Sequence, residues 1–211
     1  MFISLDLETT GFDPKKDKII EFGAIKFDLD GNSETLQFLC HPGITIPEIV
    51  THITNIKDSD LEGAPAFAEK KQEVQDFIGD YPIIGHNIQF DTRFLRENGI
   101  EIQNLEYDTH DLAAMLLPGI QSYSLEILSK IFNLQHKEKH RALDDAIAAM
   151  ELFLILTKKF KSLEPQLIEK IQGLVKKSQW PLKQHLLNLE HNDSVQVEIK
   201  KAEKEKIEAP I

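Results

Sequence analysis

A chain of 211 residues, 41% apolar and 28% charged, is long enough for one domain with a sizeable core plus an appendage. Its net charge of −11 argues against tight, sequence-independent binding of duplex nucleic acid, and its single cysteine, Cys40, excludes an internal disulfide and suits a reducing compartment. The longest nearly apolar stretch, 146–156, carries Glu151 and is too short to cross a bilayer; with no secretory leader visible, a cytoplasmic protein without a membrane partner is expected.

Strand-like runs occur at 1–7, 19–28, 35–40, 82–85 and 104–107. Gly31-Asn32 between the second and third favours a tight hairpin, so the second strand is expected to lie antiparallel to its neighbours. Helical periodicity follows at 66–78, 92–98, 109–117, 124–132 and 143–160. Strands first, then strand–helix alternation, predict an α/β fold with a mixed sheet and helices on both faces. A further helix is expected over 163–177, broken at Gly173 and ended by Trp180-Pro181. The division expected is a domain over 1–160, a helical extension over 161–190, and a flexible charged tail over 191–211 with a short strand at 194–199. Residues 157–186 carry seven lysines against two glutamates, a solvated helix face or a contact surface for phosphates.

The chemistry is concentrated in three segments. In Ile3-Ser4-Leu5-Asp6-Leu7-Glu8-Thr9-Thr10-Gly11, strand alternation puts Asp6 and Glu8 on one face. Like charges kept together call for a cation, and hard oxygens without cysteine or histidine nearby select Mg²⁺ or Mn²⁺ over zinc. Gly85-His86-Asn87-Ile88-Gln89-Phe90-Asp91 runs from a strand into a helix, where Asp91 is a candidate N-cap as well as a ligand. His140-Arg141-Ala142-Leu143-Asp144-Asp145-Ala146 opens a long helix; Asp144 and Asp145 point about 100° apart, so only one can face a metal. Asp108 and Asp111 are further candidates, with Asp108 better read as a helix cap.

Together these segments resemble the three motifs of the DEDDh (DnaQ-like) 3′-5′ exonuclease superfamily, F-x-x-x-D-x-E-T-T-G, H-N-x-x-F-D and H-x-A-L-x-D-A, from Phe2 to about Phe160. The likeness extends to polymerase III epsilon-type proofreading exonucleases. It implies a ribonuclease H-like mixed five-stranded sheet flanked by helices, and a metal-dependent 3′-5′ exonuclease acting on the 3′ end of single-stranded DNA or RNA. The implied products are 5′-nucleoside monophosphates, in DNA replication or repair, with a DNA polymerase or a helicase as candidate partner. It further implies two Mg²⁺ (or Mn²⁺) per site on Asp6, Glu8, Asp91 and Asp145, and His140 as general base; a histidine side chain can accept a proton near neutral pH. The motif selects Asp145 over Asp144. Arg141 stands where a DEDDy relative would place tyrosine. Substrate contacts are expected from Thr9, Thr10, Gly11, Phe12, His52 and Asn87. The competing expectation is a non-catalytic interaction module that kept the fold.

Overall fold

The computed structural model describes residues 1–29, 31–135 and 140–192; the strand expected at 194–199 and most of the charged tail lie outside them. A five-stranded sheet in the order β3-β2-β1-β4-β5 is built from β1 (Phe2–Thr9), β2 (Ile19–Phe27), β3 (Ser33–Leu39), β4 (Ile83–Gly85) and β5 (Glu106–Asp108). As expected, β2 is antiparallel to both its neighbours, while β4 and β5 run parallel to β1. The helices are α1 (Glu48–Thr54), α2 (Phe67–Ile78), α3 (Gln89–Glu97), α4 (Thr109–Leu116), α5 (Leu125–Phe132), α6 (Ala142–Lys161), α7 (Pro165–Val175) and α8 (Lys183–Leu187).

The two sides of β1 divide the core. Ile3, Leu5 and Leu7 pack with Phe77 and Ile78 of α2 and Phe94 and Leu95 of α3. On the other side, Phe2 and Phe27 join a cluster with Phe153, Leu156 and Phe160 of α6. Burial of such large side chains is the main favourable term in folding. Along that second face β1 turns polar: Ser4 donates to the Ala146 carbonyl at 2.7 Å, and Asp6 and Glu8 follow at period two. Opposite them on β2 stand Gly23, paired with Asp6, and Glu21, paired with Glu8. The start of α6 therefore lies directly over the acidic end of the strand pair.

Several elements differ from the sequence expectation. α1, a 3-10 turn at Asp58–Leu61 and α8 were not foreseen; each is too short to show a helical period. α3 begins at Gln89 rather than 92, because Asn87 takes a left-handed φ of 63° and turns the chain sharply enough for the helix to start at once. α7 starts at Pro165, a residue suited to the first helical position, and runs unbroken through Gly173. A single glycine costs a helix only about 1 kcal/mol. Burial of Ile168 and Val175 against the α6 cluster outweighs that, and with Leu182, Leu186 and Leu189 it gives the extension a core shared with the sheet. No helix among the described residues is long and apolar enough to cross a membrane.

Gly23 fixes how closely α6 approaches. A Cβ there would lie 2.2 Å from the Leu143 nitrogen and 2.3 Å from the Ala142 carbonyl carbon. Gly23→Ala is accordingly expected to cost about 1–3 kcal/mol or more of stability. The measurement is urea unfolding, with a lower midpoint at unchanged slope.

Candidate active site

Each acidic side chain of the site is delivered by a different piece of backbone logic. Asp6 and Glu8 come from the alternation of β1, on the face turned to α6. Asp91 comes from the shortness of β4. That strand pairs with β1 only through Ile3 and Ser4 and ends at Gly85, so the Leu7 N–H on the same edge has no strand partner. It donates instead to the Asp91 carboxylate at 3.0 Å. Asp91 is thus not the helix N-cap the sequence allowed: it is the third residue of α3, behind Ile88 at the cap position, and is 3% exposed.

Asp145 comes from the first turn of α6, where it is buried, while Asp144 beside it is half-buried on the neighbouring flank. Ligand atoms of Glu8, His140 and Asp145 all lie within 4.8 Å of one another. His140 is exposed, with a left-handed φ of 58°, and precedes the residue that caps α6. A non-glycine residue in that conformation stays only where its surroundings hold it.

The electrostatics of the cluster are unfavourable without a counter-charge. Burial, then the Asp91, Asp145, Glu8 and Glu21 carboxylates, hold Asp6 well above the usual carboxylate range. Glu8 is pushed up to about 8, first by burial and then by Asp145, Glu21 and Asp91, with Arg141 opposing. Asp91 is pushed up to about 8 by burial, although the hydrogen bond from Leu7 opposes the shift. Crowded hard oxygens that resist ionisation are what a divalent cation relieves, so these residues fit one.

Beside the acids opens a largely apolar cleft of about 540 Å³, lined among others by Glu8, Thr9, Thr10, Gly11, Phe12 and His140. Ile49 and Ile53 of α1 and Phe90 of α3 complete its walls. Phe12 is 87% exposed, a large apolar ring left in solvent at the cleft mouth. Gly11 has a packing reason to be glycine: a Cβ would sit 2.6 Å from the Asp17 carboxylate. Asp17 accepts from the Thr10 hydroxyl at 3.3 Å and the Asp13 N–H at 2.8 Å, which holds the loop after β1.

Four sequence candidates stand away from this cleft. His52 faces outward on α1, in a separate shallow depression with Glu48, Thr51 and Asn55. Asn87 is exposed, and its N–H donates to Asp108 at 3.1 Å. Asp108 also accepts from the His110 N–H at 2.9 Å, so it caps α4 as expected, while Asp111 accepts from the Trp180 indole at 3.2 Å. Sequence reasoning missed Glu21, which is 0% exposed and takes part in the acidic field of Asp6 and Glu8. The available signal was one glutamate inside the apolar run Ile19-Ile20-Glu21-Phe22, at even spacing from Gly23.

Comparison with known proteins identifies the family of the chain. Residues 3–153 match the family RNase_T, described as exonuclease. The DNA polymerase III epsilon subunit of Treponema pallidum is 36% identical over 159 residues, covering 72% of this chain and 74% of that protein. The 3′-5′ exonuclease DinG of Bacillus subtilis is 30% identical over 204 residues, 94% of this chain but 22% of that protein. Against the PolC-type DNA polymerase III of Clostridium perfringens the identity is 32% over 164 residues, and the chain spans only 11% of that protein's length. Among solved structures, exonuclease X in complex with 5′ overhanging duplex DNA superimposes with a TM-score of 0.62 at 25% identity, over 74% of this chain and 91% of that one. The site at the carboxyl end of β1 and these matches lead to one conclusion: the chain belongs to the RNase T exonuclease family.

Proposed function

We propose that this chain is a metal-dependent 3′-5′ exonuclease that removes nucleotides singly from the 3′ end of single-stranded DNA or RNA. The observation that carries the reading is the convergence of Asp6, Glu8, Asp91, Asp145 and His140 beside an apolar cleft large enough for a terminal nucleotide. The epsilon subunits and the DNA-bound exonuclease X among the matches support it. A non-catalytic module does not account for the retention of all four carboxylates and the histidine. A larger assembly with a polymerase is supported by the long PolC-type relative, and the DinG match takes in most of the segment beyond Phe160.

In this reading Asp6, Glu8, Asp91 and Asp145 would together hold two Mg²⁺ or Mn²⁺ ions. When bound, the two cations neutralise the acidic cluster, activate water and stabilise the departing oxygen. Thr9, Thr10 and Gly11 take the terminal sugar, and Phe12, Ile49 and Ile53 take its base against the apolar wall. An imidazole nitrogen of His140 receives the proton of the attacking water. The water oxygen bonds to phosphorus, the bond to the 3′-oxygen breaks, and that oxygen keeps the electron pair, takes a proton from solvent and stays on the shortened strand as a hydroxyl while a 5′-nucleoside monophosphate leaves.

On 5′-labelled single-stranded DNA and RNA of one sequence, a ladder shortening from the 3′ end is expected with Mg²⁺. It should be absent with EDTA and absent in Asp6→Asn; metal-independent cleavage, or a ladder from the 5′ end, would overturn the reading. His140→Ala should lower kcat by about 10²–10⁴-fold, the usual contribution of a general base, with the Mg²⁺ concentration for half-maximal rate unchanged. A large rise in that concentration would make His140 a metal ligand instead.

The raised carboxylates also set a pH dependence. Folded protein without metal holds protons on Glu8 and Asp91 up to about 8, whereas the unfolded chain releases them in the ordinary carboxylate range. Stability from these groups is therefore full at low pH and is lost as pH rises through about 8. His86 and His185, pushed down to about 4 by burial, act in the opposite sense up to the ordinary histidine value of 6.5. Between about pH 6.5 and 8.5 the carboxylates act alone, and the metal-free Tm should fall across that window. Saturating Mg²⁺ should flatten the slope, as read by calorimetry.

A further inference from the structure

We propose that Glu21 and Arg141 form a positioning pair that sets His140 and the first turn of α6 over the acidic cluster. Glu21 lies on β2 opposite Glu8, wholly buried, yet it is surrounded by donors. Arg141 Nε donates to both its carboxylate oxygens at 3.2 Å, and an Arg141 terminal nitrogen donates to Oε1 at 2.9 Å. Gln37 Nε2 from β3 donates to Oε1 at 2.8 Å, and the Ala142 N–H donates to Oε2 at 3.2 Å.

This pattern is more than charge neutralisation. A planar guanidinium spread across a carboxylate fixes orientation as well as distance, which an ammonium cannot do. Two of the three residues tied to Glu21 hold critical positions: Arg141 directly follows His140, and Ala142 is the first residue of α6. The Arg141 carbonyl in turn accepts from the Asp145 N–H at 3.0 Å. One carboxylate on β2 thus anchors, through a single short stretch of backbone, the segment that bears both the histidine and the fourth acid. The left-handed φ of 58° at His140 is the conformation that needs such an anchor. Gly23, two residues along β2, seats the same stretch by close contact, so the anchor acts on backbone already in register.

The inference rests on the reading of His140 as the general base, and the test separates the two. Arg141→Lys keeps the positive charge and loses the fork. It is expected to lower kcat by about 10–100-fold, the usual effect of removing a supporting partner, with KM for the oligonucleotide within about threefold. The Glu21→Gln/Arg141→Lys double variant should lose no more than the worse single variant, as two members of one unit do. In the metal-free protein, the His140 ring signal in the NMR spectrum, assigned by its loss in His140→Ala, should shift in Arg141→Lys while the signals of the other seven histidines hold. Should Glu21→Gln fail to fold, Arg141→Lys decides alone, since that side chain is 33% exposed. An unchanged kcat and ring signal in Arg141→Lys, beside a large loss in His140→Ala, would overturn the pair and leave the base standing. If His140→Ala keeps its rate, the base reading falls, and the ring signal still decides whether Arg141 holds that residue.

Discussion

Repulsion among carboxylates at the carboxyl end of β1 is the constraint around which the rest of the molecule is arranged. Asp6, Glu8, Asp91 and Asp145 arrive from three separate parts of the chain, and buried like charges do not collect by default. The fold assembles them against their own preference by making every alternative costly. Shifting β1 by one residue would bring Ile3, Leu5 and Leu7 to the face under α6 and strand the acids among α2 and α3. Hydrophobic burial on two faces therefore supplies the force that the acidic cluster resists.

Arg141 opposes the upward shift of Glu8, and it is bound to Glu21 on β2. In the proposed reading, the surplus of carboxylates over this one guanidinium suits a site that would receive metal and then a phosphate. The same reading accounts for how an acidic protein could serve a polyanion. The net charge of −11 is a property of the whole chain, whereas what the substrate would meet in that reading is an acid cluster neutralised by bound cations and an apolar wall for the base.

Much of this was legible in the sequence, for identifiable reasons. Period-two alternation in β1, the Gly31-Asn32 hairpin and the long periodic helix α6 are strong local signals, and they fixed the sheet and most of the helices. The choice of Asp145 over Asp144 required the motif; Asp145 is the more buried of the two. Other features depend on tertiary context that no window contains. α1 has Pro47 at its cap position without a side-chain cap and buries only Thr54, so it lacks both a start signal and a stripe. Asp91 looked like a cap because its partner, the Leu7 N–H, lies 84 residues away. Arg141 drew notice as the place where a tyrosine was missing, while its partner Glu21 sits 120 residues earlier.

The brevity of β4 has a consequence for how this domain can vary. Because Asp91 occupies the place where a fourth β4 residue would have bonded to β1, the stretch from Ile83 to Asp91 acts as a ruler between sheet and helix. One residue inserted there would extend the ladder, occupy the Leu7 N–H and carry an acid out of the cluster, all in a single step. The β2–β3 hairpin tip carries no such measure and can lengthen without moving any of the five side chains of the site. Length polymorphism among functional relatives should therefore be frequent at the hairpin and all but absent between the fourth strand and the third helix.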